Sequence, residues 1–461
     1  MRYISTRGGI SPISFKDAVM MGLASDGGLL LPQSYPVVSG EQLESWRKLT
    51  YPELAFEVIS RYADDIPATD LKSLINHSYA GFNHPDVTPL VRQNGVYILE
   101  LFHGVTLAFK DVALQFLGNL FEYILAERKQ TLNIIGATSG DTGSAAIHGV
   151  RGKKGISIFI LHPHGKTSKV QALQMTSVTD ANVHNIAVRG TFDDCQDMVK
   201  EIFGDLKFKE KYSLGAVNSI NWARVLAQVV YYFYAWFRVT DETAAPVNFS
   251  VPTGNFGDIF AGYVAKRMGL PIGKLLLATN ENNILTRFIN ASDYSLGGVV
   301  ATVSPSMDIQ IASNFERYLF HLFAEDAGRV KEAFTELKEY GRISCSPDEM
   351  ALVREDFCSA SINQDATLQT IRDFYSDTGY LLDPHTAVGV KAALDLLPSD
   401  SARVCLATAH PAKFSETVEQ ALGFKVPAPE SVKELYGKPT RCEIMDADLG
   451  KVREFLVAHI S

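Results

Sequence analysis

Asn133–Ile147 reads NIIGATSGDTGSAAI. A β-branched run at 133–137 meets a loop, Thr138-Ser139-Gly140-Asp141-Thr142-Gly143, and small helix-forming residues follow. This is a strand, a glycine-rich turn and the start of a helix. The plan recurs at 247–269, VNFSVPTGNFGDIFAGYVAKRMG, where Gly254-Asn255-Phe256-Gly257-Asp258 stands between strand and helix. Outward from these two units, from about residue 87, short apolar runs alternate with helical stretches: VYILEL, TLNIIGA, ISIFILH, VHNIAV, PVNFSVP, KLLLATN and RVCLATA. Strands separated by helices predict an α/β fold with parallel sheets covered on both faces. The polar stretch VTDETAAP (239–246) is the best linker, and no internal repeat interrupts the pattern. The first eighty-odd residues are mixed. There SFKDAVMMGLASDGGLLLP predicts a helix closed by Asp26-Gly27-Gly28 and then a short strand.

A third stretch raises a question of charge. HGVTLAFKD (103–111) places Lys110 after an apolar run, where a helix carrying Val112, Phe116, Leu120, Tyr123 and Ile124 at helical spacing begins. A helix N-terminus is the positive end of the macrodipole and a poor place for a charged lysine. It suits a lysine whose work requires a neutral amine, since positive neighbours and desolvation lower its pKa. The ordinary alternative is an exposed lysine laying its methylenes over apolar surface.

Backbone amides at a helix N-terminus hold anions, and glycine allows close approach. Neither glycine-rich loop fits GxGxxG or GxxxxGK[ST], and HGKTSK (164–169) lacks the first Walker glycine because Ile160 stands there. One such turn alone is more simply the punctuation of a βα unit. Two of them with an oddly placed lysine suit a ligand carrying both a phosphate and a carbonyl, namely pyridoxal phosphate.

The chain has 461 residues, 46% hydrophobic and 21% charged, enough for two or three domains with a sizeable core. Its 43 Lys and Arg against 52 Asp and Glu give −9, which argues against nucleic-acid binding and leaves any anionic substrate to local donors. Five scattered cysteines without a CxxC pair predict a reducing compartment and neither disulfide framework nor zinc knuckle. The start, MRYISTRGGISPISF, has no signal-type apolar core, and VLAQVVYYFYAWFRV, interrupted by Gln228, reads as a buried helix too short for a bilayer. A cytoplasmic protein with no membrane or nucleic-acid partner is expected. His162 and His164 lack an acidic neighbour, so no metal site is expected, and the 136–140 loop does not make a GxSxG elbow.

In this order and spacing, YISTRG, GLASDGGLLLP, FHGVTLAFKD, GATSGDTGSAA, GTFDDCQ, VNSINWARVLAQ, PTGNFGD, SPSMDIQIASNFER and ATAHPAKF resemble the threonine synthases. These belong to the tryptophan-synthase-β group of pyridoxal-phosphate enzymes, and the likeness is to the longer form of bacteria and fungi. It covers nearly the whole chain. Val105 stands where the family usually has proline, and Thr167 where it often has valine. The resemblance implies two parallel-rich α/β domains of the tryptophan synthase β-like (fold type II) architecture with an added N-terminal segment. The expected division is 1–86 for that segment, 87–132 and 246–461 for the large cofactor domain, and 133–245 for the smaller domain.

Residue by residue, the resemblance implies Lys110 as the Schiff-base lysine, later the group that shuttles protons on the substrate. Gly254, Asn255, Phe256, Gly257 and Asp258 would cradle the cofactor phosphate, the Asp258 carboxylate capping the new helix and pointing away from the anion. Ser139 and Thr142 would grip the substrate α-carboxylate. Asp141 would face the ring hydroxyl or simply cap the helix at 143, with equal weight on each. Thr408 would meet the pyridine nitrogen, where a hydroxyl leaves the ring uncharged. The substrate phosphate would fall to Arg224, Ser219 and Lys169 first, with Asn221, Asn218, Lys166 and Ser168 nearby. His410 and Lys413 are read as structural.

The implied reaction is conversion of O-phospho-L-homoserine and water to L-threonine and phosphate, by γ-elimination and β-addition of water, in a monomer or weak homodimer. A serine/threonine deaminase of the same fold is the alternative enzyme, distinguished by a substrate without phosphate. A silent relative that only binds a phosphorylated ligand is the alternative outside catalysis.

Overall fold

The computed structural model describes residues 1–460. Two parallel sheets organise it. The larger has six strands in the order Phe357–Ser361, Ile272–Thr279, Val247–Pro252, Ala402–Ala407, Val96–Glu100 and Leu90–Gln93. Every neighbouring pair is parallel except the last, a hairpin turned at Asn94-Gly95 with φ 42° and 77°. That dipeptide favours the left-handed conformation such a two-residue turn requires. The smaller sheet has five strands, all parallel, in the order Glu443–Asp446, Val183–Arg189, Ile156–Pro163, Leu132–Ala137 and Leu214–Gly215. Ile156–Pro163 and Val247–Pro252 are buried along their whole lengths, as strands covered by helices on both faces must be. The two alternating-unit segments therefore form the α/β layers expected from the sequence.

The domain boundaries differ from the expected ones in two places. Glu443–Asp446 joins the smaller sheet, and Val452 and Leu456 of the helix Leu449–His459 pack with Ile186 and Val188 there. The C-terminal end thus returns to the smaller domain. EIMD, a short and mostly exposed edge strand, has no apolar run to announce it. The helix Trp222–Glu242, expected in the smaller domain, instead lies among the N-terminal helices and the large domain. Phe233 meets Trp46 at 5.9 Å, Tyr234 meets Tyr51 at 5.4 Å, and the Tyr232 hydroxyl donates to the Asp258 carbonyl. Because this helix runs to Glu242, the linker shrinks to 243–246. It is buried as expected, and no described helix is long and apolar enough to cross a membrane.

At the N-terminus, Phe15–Met21 ends at Gly22 with φ 65°, earlier than the expected Asp26-Gly27-Gly28 stop. Asp26 instead accepts from the backbone of Gly28 and Gly9 and from the Ser5 hydroxyl, shaping the loop before Leu30–Pro32. Tyr3–Ser5 pairs antiparallel with Leu30–Pro32. Beneath it the fully buried Arg317 donates to the carbonyls of Leu30 and Ile220, and the Asn221 amide donates to the Val19 carbonyl. The N-terminal segment thereby braces the loop at 217–221.

Val247–Pro252 and Ala402–Ala407 are adjacent and parallel, with Ser250 opposite Cys405. The loops after both strands emerge side by side, at the end of a parallel sheet where ligands bind. The stretch before Lys110 docks there: Ala108 bridges to Ala409, and the Phe109 amide donates to the Thr408 carbonyl at 2.8 Å.

Candidate active site

A helix begins at Lys110 and runs to Arg128, so the lysine occupies the first helical position. The loop leading to it is held by Asp111, whose buried carboxylate accepts from the Thr106 amide at 2.7 Å and the Thr106 hydroxyl at 2.8 Å. Gly104 is required there, because a Cβ would sit 2.3 Å from the Cβ of Asp111. Lys110 is buried with its amine in a cavity shared by Thr142, Ser219, Arg224, the 254–258 loop, Ser306, His385 and Thr408. Burial lowers its pKa, Lys413 and Arg224 lower it further, and Asp141 works against them. The depression comes first from burial and then from cations that other elements bring, not from the helix start itself.

The second wall is the N-terminus of the helix Gly257–Arg267. Among the described residues, the backbone N–H groups of Gly254, Asn255 and Phe256 donate to no acceptor. Phe256 adopts φ 62°, a strained conformation for a bulky residue, and its ring is pinned against Phe315, Phe357 and Tyr318 at 5.2, 5.7 and 5.9 Å. A Cβ on Gly254 would lie 2.9 Å from the Ser306 carbonyl oxygen. Free amides gathered at a helix start make an anion cradle.

Asp258 does not cap this helix; no side chain does. Its carboxylate accepts from the Tyr231 and Tyr232 hydroxyls at 2.5 and 3.1 Å, while Oδ2 is buried without a partner. Burial pushes its pKa up to about 7, with the two hydroxyls opposing. The carboxyl is thus held by two hydroxyls of the 222–242 helix instead of capping its own helix start.

Asp141 does not cap its helix. Gly140, at φ 151°, is the N-cap, and Asp141 is the first residue of the helix Asp141–Val150. Its Oδ1 accepts from Gln171 Nε2 at 2.8 Å and lies 3.0 Å from Lys413 Nζ in an ion pair, and Oδ2 lies 3.6 Å from Lys110 Nζ. Burial works to raise its pKa, but Lys413 and Lys110 outweigh it and hold the carboxyl well below the usual range. It serves as an ion-pair centre rather than a helix cap.

Arg224 is buried at 4% exposure, and its Nε and Nη1 have no hydrogen-bond partner. An unpaired buried guanidinium is costly unless an anion joins it. Ser219 and Thr142 line the same cavity, as does Thr408, whose hydroxyl bonds to no described residue.

The remaining candidates lie elsewhere. Ser139 is exposed. Lys169 is exposed, its ammonium 4.9 Å from the Tyr436 ring centroid, and Ser168 caps the helix Lys169–Thr176. Lys166 is likewise exposed. Asn221 caps the helix Trp222–Glu242 through Oδ1 while its Nδ2 holds Val19, so its amide is fully engaged. With Asn218 it faces a second cavity, of about 670 Å³, beyond the 216–221 loop.

Two groups at the site went unrecognised in the sequence. Lys413, read as structural, is buried against Asp141, and its only signal was proximity to Thr408. His385 lines the cavity, held by Asp383 at 2.9 Å on Nδ1 while Nε2 accepts from the Ser306 amide at 3.2 Å. Its signal is masked because Asp383-Pro384 reads simply as the start of the helix Pro384–Leu396.

These features fit pyridoxal phosphate: a cradle of unpaired amides, a buried amine of depressed pKa, and an unpaired hydroxyl on the neighbouring strand end. The unpaired Arg224 leaves room for a further anion.

Comparison with known proteins agrees. Residues 2–79 match the family described as threonine synthase N terminus, 82–336 that of pyridoxal-phosphate dependent enzymes, and 386–456 that of threonine synthase, C-terminal. Threonine synthase of Schizosaccharomyces pombe is 49% identical over 91% of this chain and 89% of its own. That of Methylobacillus glycogenes is 46% identical over the full length of both. The solved structure of PLP-bound threonine synthase from Brucella melitensis superposes with a TM-score of 0.97 at 46% identity, over 100% of this chain and 99% of that one. Yeast threonine synthase superposes with 0.95 at 45%, over 99% and 98%. The chain belongs to the threonine synthase family of pyridoxal-phosphate-dependent enzymes.

Proposed function

We propose that the enzyme converts O-phospho-L-homoserine and water to L-threonine and phosphate, with Lys110 as the residue that carries the cofactor and moves the protons. The observation that carries this reading is Arg224, a buried guanidinium with two unpaired nitrogens in the cavity that holds Lys110 and a separate amide cradle. Two anion sites flank one amine. The cofactor phosphate uses the 254–257 amides, and Arg224 with Ser219 is left for the substrate phosphate.

Pyridoxal phosphate, when bound, supplies the electron-withdrawing ring and carbonyl carbon that hold the substrate amine and stabilise negative charge at Cα. Lys110 Nζ, freed by the substrate amine, takes protons from Cα and then Cβ and returns one at Cγ after the phosphate leaves; water then adds its oxygen at Cβ, and the second proton goes back to Cα. Arg224 binds the phosphate and stabilises charge on the bridging oxygen as the C–O bond breaks. Thr142 holds the α-carboxylate. Thr408 offers the ring nitrogen a hydroxyl, which keeps it uncharged and favours elimination and replacement over transamination. Asp141 acts through its ion pairs with Lys413 and Lys110, and Asp258, raised by burial next to the 254–257 loop, would lessen repulsion of a phosphate held there. Cytoplasmic location and a monomer or weak dimer accompany this reading as expectations.

A deaminase substrate carries no phosphate and would leave Arg224 unpaired. Incubation with O-phospho-L-homoserine, following phosphate release and threonine together, tests the reading. Equal yields of both products are expected. Phosphate without threonine, or deamination of threonine with no action on the phosphorylated substrate, refutes it.

A further inference from the structure

We infer that Lys413 is a positioning residue: by taking the charge of Asp141 in a saturated ion pair, it leaves Lys110 as the neutral amine of the site. The inference rests on the reading of Lys110 given above.

The hydrogen-bond inventory of Lys413 carries the argument. Its side chain is wholly buried on the turn Pro411–Phe414. Nζ donates to the Thr106 carbonyl at 2.5 Å and to Gln174 Oε1 at 2.9 Å, and it lies 3.0 Å from Asp141 Oδ1 as an ion pair. With both of those protons engaged, a neutral amine would turn its lone pair on the carboxylate oxygen 3.0 Å away, whereas the ammonium has a third proton to face it. Lys413 is therefore the fixed cation of the pair. Gln174 is oriented for this, since its Nε2 donates to the same Thr106 carbonyl at 2.9 Å.

Lys110 has the opposite inventory. Its nearest anionic oxygen, Asp141 Oδ2, is 3.6 Å away, and its amine makes no closer hydrogen bond to any described residue. Asp141 is already matched through Oδ1 by Lys413 and Gln171. The charged and titratable groups around Lys110 come from every neighbouring element: Asp141 from the 141–150 helix, Lys413 from the 411–414 turn, Arg224 from the 222–242 helix, Asp258 from the 257–267 helix, and His385 from the 384–396 helix. Asp111, next in its own helix, is turned to Thr106, and burial pushes it up to about 6. Asp141 is the carboxylate in contact with Lys110, and the cations Lys413 and Arg224 already act on this space before Lys110 is counted. A third cation in this desolvated space is unfavourable, so the proton is left off Lys110.

The test uses the cofactor-free protein, whose amine can be read without turnover. Competitive acetylation with acetic anhydride across a pH series, followed residue by residue by mass spectrometry, gives the midpoint at which Lys110 becomes reactive. In Lys413→Met, Asp141 loses its partner and turns to Lys110, raising that midpoint by about one to two pH units. In Asp141→Asn, Lys110 faces only cations and the midpoint falls. In the double variant Lys413→Met/Asp141→Asn the local charge balance returns, and the midpoint returns towards that of the wild type. An unchanged midpoint in a folded Lys413→Met overturns the inference. Should Lys413→Met fail to fold by circular dichroism, Asp141→Asn decides alone: a fall supports the inference, and no change or a rise overturns it. Borohydride trapping of wild-type holoenzyme separates the two levels. Cofactor fixed to another lysine removes the reading of Lys110 as the cofactor lysine, whereas trapping at Lys110 with no midpoint change removes only the role of Lys413.

Discussion

Arg224→Met separates what the site needs from what the fold needs. Methionine fills most of the space of the arginine side chain, so the variant removes the charge without opening a large cavity. In the ligand-free protein the guanidinium is buried with Nε and Nη1 unpaired, and desolvation pushes its pKa down to about 10. At 1.36 kcal/mol for each pKa unit, that depression corresponds to roughly 3 kcal/mol of unfavourable burial. Substrate phosphate relieves that strain. Arg224→Met is therefore expected to leave ligand-free stability unchanged or raise it by about 1–3 kcal/mol, by urea titration. The same substitution is expected to lower kcat/KM for O-phospho-L-homoserine by a factor corresponding to about 2–4 kcal/mol, in a phosphate-release assay. Arg224→Lys recovers only part, because a point charge cannot reproduce the two-pronged geometry. Cofactor absorbance persists in both variants. Loss of bound cofactor in Arg224→Met, with normal affinity for O-phospho-L-homoserine, would mean that the two phosphate sites are reversed and would refute the reasoning.

Thr408→Asp places a carboxylate at the ring nitrogen, so the holoenzyme spectrum is expected to shift, threonine formation to fall and abortive transamination to rise; an unchanged spectrum and product partition contradict that placement. Gly254→Ala drives a Cβ to within 2.9 Å of the Ser306 carbonyl oxygen, so cofactor affinity measured by equilibrium dialysis should drop at least tenfold with the fold retained by circular dichroism, and unchanged affinity argues against the cradle. Asp258, raised to about 7 in the folded protein, binds its proton more tightly there than when unfolded. Its contribution is therefore fully present below the unfolded carboxyl pKa and is lost as pH rises through about 7, by up to about 1.4 kcal/mol per pH unit. Asp258→Asn should flatten this slope in cofactor-free urea titrations between pH 5 and about 7, and a slope equal to wild type rejects the protonated-acid reading.

The units 133–147 and 247–269 were legible because a buried parallel strand, a glycine turn and a helix start each leave a local mark in composition. Lys110 was legible because its cost is local too: a cation at the first position of a helix. The C-terminal return of Glu443–Asp446 was not, because edge-strand pairing depends on a partner 257 residues away and needs no apolar run. Asp258 and Asp141 show the limit most clearly. Their helix-start positions were plain, but their partners Tyr231, Gln171 and Lys413 come from other elements, and capping signals cannot report those. Ser139, Asn221 and Lys169 stand in motifs of the right composition, yet solvent exposure or capping duties keep their side chains from the cavity. His385 was hidden by an Asp-Pro helix start that already explained itself.

The most direct test of the account is the identity of the lysine that carries the cofactor. The cavity holds Lys110, and Lys413 lies beside it on the other oxygen of Asp141, so the answer discriminates between two buried amines. Holoenzyme reduced with borohydride, digested and sequenced by mass spectrometry should carry the pyridoxyl group on Lys110. Modification of Lys413, or of any lysine outside the site, contradicts the account at its centre.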